Sequence, residues 1–186
     1  MAAILTAQAV TDVGAQPLAG DLAIASTLDD VELFNGGVCL TGRLDRGHFR
    51  RLSDFVNHSH GWILLRDAVV VDRADPGRQT PRHDAWIDPI DIDLIGQRAG
   101  SLGPTSVDMT IEKSPHQVIA LTSSHQVCGT VHVHRESDLG AFLRADETPL
   151  IVITDALVTW LADGRLAGSF ALLLLNRRRT FAVMSA

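Results

Sequence analysis

One segment of the sequence occurs twice, and this internal repeat limits what the chain can fold into. The stretch VELFNGGVCLTGRLDRGHFRRLSDFVNHSHGWILLRDAVVV begins at Val31. It returns in altered form about 87 residues later as VIALTSSHQVCGTVHVHRESDLGAFLRADETPLIVITDALVTW. Once one inserted residue is allowed for, Asp67 of the first copy falls on Asp155 of the second. Because similar segments form the same supersecondary unit, the chain is predicted to contain two copies of one small unit.

The 186 residues are enough for two such units. The chain is 46% hydrophobic and 20% charged, which suits compact cores, and domains of about 80 residues lie within the usual size range. The sequence QRAGSLGP is rich in residues that interrupt strands and helices, and it predicts a linker. We therefore expect an N-terminal arm at 1–30, a first domain at 31–98, a linker at 99–104 and a second domain at 105–186.

Each copy is predicted to begin with a β-hairpin. In the first copy, apolar residues alternate at period two on either side of the turn sequence Asn-Gly-Gly at 35–37. In the second copy, a Ser-Ser pair at 123–124 takes the place of the glycines. Gly42 and Gly129 then fall inside a strand, where glycine is typical of a β-bulge or a sharp bend.

A short helix or turn is predicted to interrupt the strands of each copy. Leu52, Phe55 and Val56 stand at helical spacing in the first copy, with Ser53 as a candidate N-cap. The second copy has the same spacing at Leu139, Phe142 and Leu143, with Ser137 as the candidate cap.

Long apolar strands at 62–71 and 150–160 follow the helical turns. Each contains one of the repeated aspartates, Asp67 and Asp155, which we interpret as acceptors of structural hydrogen bonds rather than as active carboxylates. Trp62, Trp86 and Trp160 are predicted to fill the core.

The segments that close the two copies are also predicted to be extended. In the first copy, alternation predicts that Trp86, Ile90, Ile92 and Leu94 point inward and that Asp91 and Asp93 point outward. In the second copy, strands at 170–175 and 181–184 are predicted to form a hairpin with Arg177, Arg178 and Arg179 at its tip.

This order of elements resembles the Sm-like small β-barrel. Gly42, Asp54 and Asn57 stand roughly where the first Sm motif has a glycine, an aspartate and an asparagine before a strand. The chain is more closely similar to bacterial proteins of unknown function in which a stretch like LSDFVN precedes an apolar strand ending in Asp-Ala. The resemblance covers 31–98 and 105–184, and it implies an all-β fold of two tandem Sm-like barrels.

The second copy departs from the Sm pattern at two positions. Ala141 and Arg144 stand where the first copy has Asp54 and Asn57. The Arg-Gly pair of the second Sm motif is not recognisable in either copy.

Small barrels leave strand edges free, and free edges pair with other chains. The sequence therefore favours a non-enzymatic binding or scaffolding subunit that associates with itself or docks on a larger protein assembly. The net charge of −6 argues against general binding of the nucleic-acid backbone, and no DNA partner is expected. The alternative is an Sm-like RNA-binding protein. Its candidate contact residues, for RNA or for a protein partner, are Arg177, Arg178, Arg179, Arg50, Arg51, Asp54 and Asn57.

The sequence predicts no enzyme and no cofactor. His58 and His60, and likewise His132 and His134, form His-x-His pairs, and on a strand this spacing places two imidazoles on one face. His132 and His134 are the candidates for a metal site, but no Cys-x-x-Cys or Glu-x-x-His completes it, and exposed polar positions are the favoured interpretation. His48 near Ser53 and Asp54 lacks a nucleophile elbow, which argues against a serine hydrolase.

The remaining features concern the compartment. Cys39 and Cys128 occupy different places in the two copies and are interpreted as reduced thiols. The first ten residues lack a basic region before their apolar stretch, so a cleaved signal is not expected. No apolar run approaches the roughly 20 residues needed to cross a bilayer. We expect a cytoplasmic protein, with peripheral contact to a membrane complex left open.

Overall fold

Ten β-strands of the described residues join into one antiparallel sheet. The computed structural model describes residues 27–72, 80–98, 112–145 and 148–186. The strands are β1 (Leu28–Asn35), β2 (Val38–Asp45), β3 (Ile63–Asp72), β4 (His83–Ile87), β5 (Leu94–Gln97), β6 (Lys113–Thr122), β7 (His125–His134), β8 (Leu150–Trp160), β9 (Leu166–Asn176) and β10 (Thr180–Ser185). Also present are the helices α1 (Leu52–His58) and α2 (Leu139–Arg144) and the 3-10 turns Pro89–Asp91 and Arg177–Arg179. The prediction of a predominantly β fold with a short helix in each copy is confirmed.

The strand order shows how the two copies are arranged. The sheet runs β10-β6-β7-β8-β9-β5-β1-β2-β3-β4, so each copy supplies five neighbouring strands in the same internal order. We call β1 to β5 with α1 the first half, and β6 to β10 with α2 the second half. The halves meet where β5 pairs with β9. Among the described residues the sheet is open, with β4 and β10 at its edges. Two tandem Sm-like barrels therefore stay a prediction.

The structure can be compared with only some of the predicted domain boundaries. β1 begins at Leu28, inside the predicted arm at 1–30. Residues 1–26 of that arm and the whole predicted linker at 99–104 lie outside the described residues. Both predicted hairpin turns are confirmed, since β1 pairs with β2 and β6 pairs with β7 across them.

The repeated glycines lie at β-bulges, as predicted. The β2–β3 register shifts between Thr41 and Arg43, and the β7–β8 register shifts at the equivalent place. A Cβ on Gly42 would lie 2.7 Å from Leu65 Cγ, and a Cβ on Gly129 would lie 2.5 Å from Ile153 Cγ2. No side chain fits there, so the close approach of the strands depends on glycine.

The repeated aspartates belong to the same bulges. Asp67 and Asp155 both have φ of 51°, in the left-handed region that aspartate tolerates better than most residues. The carboxylate of Asp67 accepts hydrogen bonds from the Arg43 guanidinium, in a half-exposed ion pair. The donor is therefore a side chain of the neighbouring strand β2. The aspartates are repeated because the bulged strand needs the left-handed conformation.

The core has two parts, one on each face of the central strands. On β1, Leu33 packs into the cluster of the first half, while its neighbour Phe34 packs into the cluster of the second half. On β5, Ile95 packs into the cluster of the first half and Leu94 packs into the cluster of the second half. Because successive side chains of a strand point to opposite faces, β1 and β5 are buried on both sides. This double burial holds the halves together.

The helix caps differ from the prediction. Ser53 lies inside α1, and no side chain caps that helix. In the second half, Asp138 rather than Ser137 is the N-cap, and its carboxylate accepts a hydrogen bond from Ala141 N at 2.5 Å. Aspartate is among the preferred N-cap residues.

The predicted final hairpin does not form. β9 and β10 are neighbours in sequence, but β10 crosses over to pair with β6, while β9 pairs with β8 and β5. Arg177–Arg179 is therefore a crossover and not a hairpin tip. In the first half, β4 and β5 are separated in the same way by Pro89–Asp91.

Candidate functional site

The junction between the halves is built first from backbone pairing. Leu94 to Gln97 of β5 lie opposite Leu175 to Leu172 of β9 in antiparallel register. Short as it is, this ladder makes the two five-stranded halves one sheet. A sheet extended in this way across two units is β-augmentation within a single chain.

Asn176, at the end of β9, makes the densest polar contacts of the junction. Its buried side-chain amide donates to the carbonyls of Ile90 and Ile92, both at 2.9 Å, and to that of Pro89 at 3.4 Å. Its side-chain oxygen accepts from the backbone N–H of Arg178 at 3.0 Å. A single amide therefore fixes the turn of one half and the crossover of the other.

Asp93 is a buried acceptor at the junction, although it was predicted to point outward. Its carboxylate accepts from Arg179 Nε at 2.5 Å and from the backbone N–H of Gly36 at 3.1 Å. The ring of buried His125, from β7, lies 3.8 Å away. A buried carboxylate requires such partners, and here most of them come from the other half of the chain.

Arg177 and Arg179 are engaged in structural contacts. Arg177 donates to the carbonyls of Phe142, Leu143 and Thr148 and lies over the Phe142 ring, 5.6 Å from its centroid. A cation at the end of α2 satisfies carbonyls that the helix leaves unpaired. Arg179 binds Asp93 as described. Of the three arginines at 177–179 only Arg178 is exposed, and within the described residues no hydrogen bond or ion pair of its guanidinium is found.

Asn57 also joins the halves. Its side-chain oxygen accepts from the backbone N–H of Leu150 at 3.0 Å, and its amide lies 3.4 Å from the Leu150 carbonyl. Arg50 and Arg51 are exposed and Asp54 is half-buried. Of the predicted contact residues, the structure brings Asn57 and Arg177 to the same short segment at 148–150, and both serve packing there.

The residues considered for chemistry are not brought together. His132 Nε2 lies 2.9 Å from Thr154 Oγ1, and both His132 and His134 are exposed. Among the described residues, no three metal-ligating side chains cluster. The ring of His48 stacks on Phe49, 4.4 Å between centroids. Burial raises the pKa of the Cys39 thiol to about 12, which makes it a poor nucleophile at neutral pH.

The two edges of the sheet expose large apolar side chains. Near β4, Trp62 and Trp86 are 64% and 66% exposed. On β10, Phe181 and Met184 are also exposed. The prediction that Trp62 and Trp86 fill the core is wrong, whereas Trp160 is buried as predicted. Ile90 is also exposed, against the predicted inward direction.

Comparisons of the chain with protein families, with curated proteins and with solved structures found no match. Among the described residues, no helix has the length and apolar character needed to cross a membrane.

Proposed function

We propose that the protein is a non-enzymatic scaffolding subunit that docks on a larger protein assembly through β4 and β10. The observation that carries this proposal is that β4 and β10 end the ten-stranded sheet without a further strand beside them among the described residues. Unpaired backbone N–H and C=O groups along an edge form a template for a strand of another chain. Sm-like barrels and a cytoplasmic location belong to the same proposal.

The sequences of the edge strands support this function. Edge strands of monomeric proteins are commonly protected by lysine, proline or other charged residues. β10, TFAVMS, contains none of these, and Phe181 and Met184 are exposed on it. β4, HDAWI, carries one charged residue, Asp84, and exposes Trp86. Tryptophan is the residue most enriched at binding hot spots.

A pull-down from the native source with the tagged full chain tests the edges. We expect copurifying proteins to be lost with Met184→Lys, because a lysine on β10 opposes strand addition. The matched control is Val38→Lys on the interior strand β2, since Val38 is 47% exposed and Met184 is 45% exposed. Equal recovery with the two variants would contradict docking through β10.

The alternative, an Sm-like RNA-binding protein, rests on the exposed guanidinium of Arg178 together with exposed Arg50 and Arg51. It has less support, because Arg177 and Arg179 are held in structural contacts. If RNA binds here, filter binding should weaken steeply with salt and fall at least tenfold with Arg178→Ala. Binding that is independent of salt and of Arg178 would remove this alternative.

A further inference from the structure

We infer that the partner at these edges is a second copy of the chain, with β10 of one copy pairing antiparallel to β4 of the next. This inference rests on the proposed function and names its partner. It follows from the repeat, because the chain already contains one junction of this kind between β5 and β9.

The pairing registers show that the open edges are the equivalents of the two strands already joined. The position of Val183 on β10, relative to its partner strand β6, is the same as that of Ile95 on β5 relative to β1. The position of Ile87 on β4, relative to its partner strand β3, is the same as that of Leu175 on β9 relative to β8. Carrying the internal register over to two copies pairs Ile87 with Ala182, Trp86 with Val183, and Ala85 with Met184.

The exposed tryptophans occupy positions that are buried at the internal junction. On β8 and β9, Leu150 and Leu174 are buried in the core cluster of the first half. Their equivalents on the first half are Trp62 and Trp86, which are exposed. An exposed apolar face of this kind marks an interaction site, and the repeat identifies what would cover it.

The helices show the complementary difference. Leu52 and Val56 of α1 are buried, and α1 packs against β8 of the second half. The equivalent residues of α2, Leu139 and Leu143, are only partly buried, and no residue of α2 is fully buried. In the first half, the apolar face of α1 is covered by the second half. The equivalent face of α2 is left partly exposed. The Trp62 and Trp86 side chains of another copy would lie on this surface.

The charges beside the two edges suit a contact between β4 and β10. Asp84 and Asp88 lie on and beside β4, and exposed Arg178 precedes β10. At the internal junction, Asn176 contacts the carbonyl of Ile90. In the repeat, Asp88 is the equivalent of Asn176 and Arg178 is the equivalent of Ile90. The β4–β10 junction would therefore place these opposite charges side by side. Because the internal junction joins two different strands of the repeated unit, the contact that carries its register to two copies is head-to-tail.

The mass of the purified full chain, measured by light scattering over a range of concentrations, tests this inference. We expect assemblies larger than one chain, and at least tenfold weaker association with Trp86→Asp. The control variant Val38→Asp, on an interior strand, should assemble like the wild type. A chain that is monomeric at every concentration, or equal association of the two variants, would overturn the inference. Copurification lost with Met184→Lys would still support docking on other proteins.

Cysteine cross-linking tests the register. In a Cys128→Ser background, Ala85→Cys with Met184→Cys should form disulfide-linked multimers on mild oxidation, because facing residues of antiparallel strands suit disulfide geometry. Cys39 can remain, since burial raises its pKa to about 12. The control pair, Ala85→Cys with Val183→Cys, is shifted by one residue and should cross-link at least tenfold less. Equal yields from the two pairs would contradict the register.

Discussion

Replacing Asn176 with alanine should lower the free energy of unfolding by about 3 kcal/mol, because buried carbonyls would lose their donor. The amide of Asn176 donates to Pro89, Ile90 and Ile92 across the junction. Alanine is too small to replace it and cannot donate. Urea denaturation followed by circular dichroism measures the change, and an unchanged m-value would show that the variant unfolds in the same way as the wild type.

The chain supplies its own control at the equivalent position of the first half. Asp88 also accepts a hydrogen bond from the backbone two residues later, Ile90 N at 3.1 Å, in an exposed setting. Asp88→Ala should therefore cost no more than about 1 kcal/mol, the usual value for a lost cap. If Asn176→Ala costs no more than Asp88→Ala, the contacts of Asn176 across the junction do not stabilise the fold.

The internal repeat was the part of the fold that the sequence predicted best. Turn sequences and alternating apolar residues are local signals, and the hairpins at 35–37 and 123–124 formed as expected. Gly42 and Gly129 could be recognised as bulge positions because each copy retains the glycine. These elements are determined by nearby residues, so they could be predicted from the sequence.

Strand pairing beyond the hairpins could not be predicted in this way. β9 and β10 are separated by only three residues, a spacing typical of a hairpin, yet they lie on opposite sides of their half. Alternation predicts that Asp93 faces solvent because it takes no account of the second half, which supplies Arg179 as its partner. Alternation likewise predicts that Trp86 faces the core, because it cannot show that a strand lies at an edge.

The candidate contact residues were chosen by charge and by resemblance, and neither signal reports what a side chain already contacts. Arg177 binds the carbonyls at the end of α2, and Asn57 binds Leu150. A signal for the open surface was nonetheless present in the sequence. Trp62 falls on an aliphatic residue, Leu150, in the second copy. A repeat whose equivalent positions differ between aliphatic and aromatic residues can indicate a surface that binds a different neighbour.

Adding a methyl group to Gly96 should destabilise the protein by about 3 kcal/mol, the upper end of the usual cost of overpacking. A Cβ at Gly96 of β5 would lie 2.4 Å from two ring carbons of Phe170 of β9. That ring cannot move away freely, because it is buried, also covers Gly168, and packs edge-on against Phe34, 5.9 Å between centroids. Gly96→Ala must therefore either displace Phe170 or separate β5 from β9.

A double-mutant cycle in urea identifies the contact responsible. Phe170→Leu removes most of the ring, so the loss caused by Gly96→Ala should shrink by at least about 1 kcal/mol in that background, as expected for residues in direct contact. Gly37→Ala is the control, since its added Cβ would meet nothing within 4 Å, and its effect should stay within about 0.5 kcal/mol. If Gly96→Ala costs the same with and without Phe170, then steric overlap between β5 and β9 does not limit how closely the two halves approach.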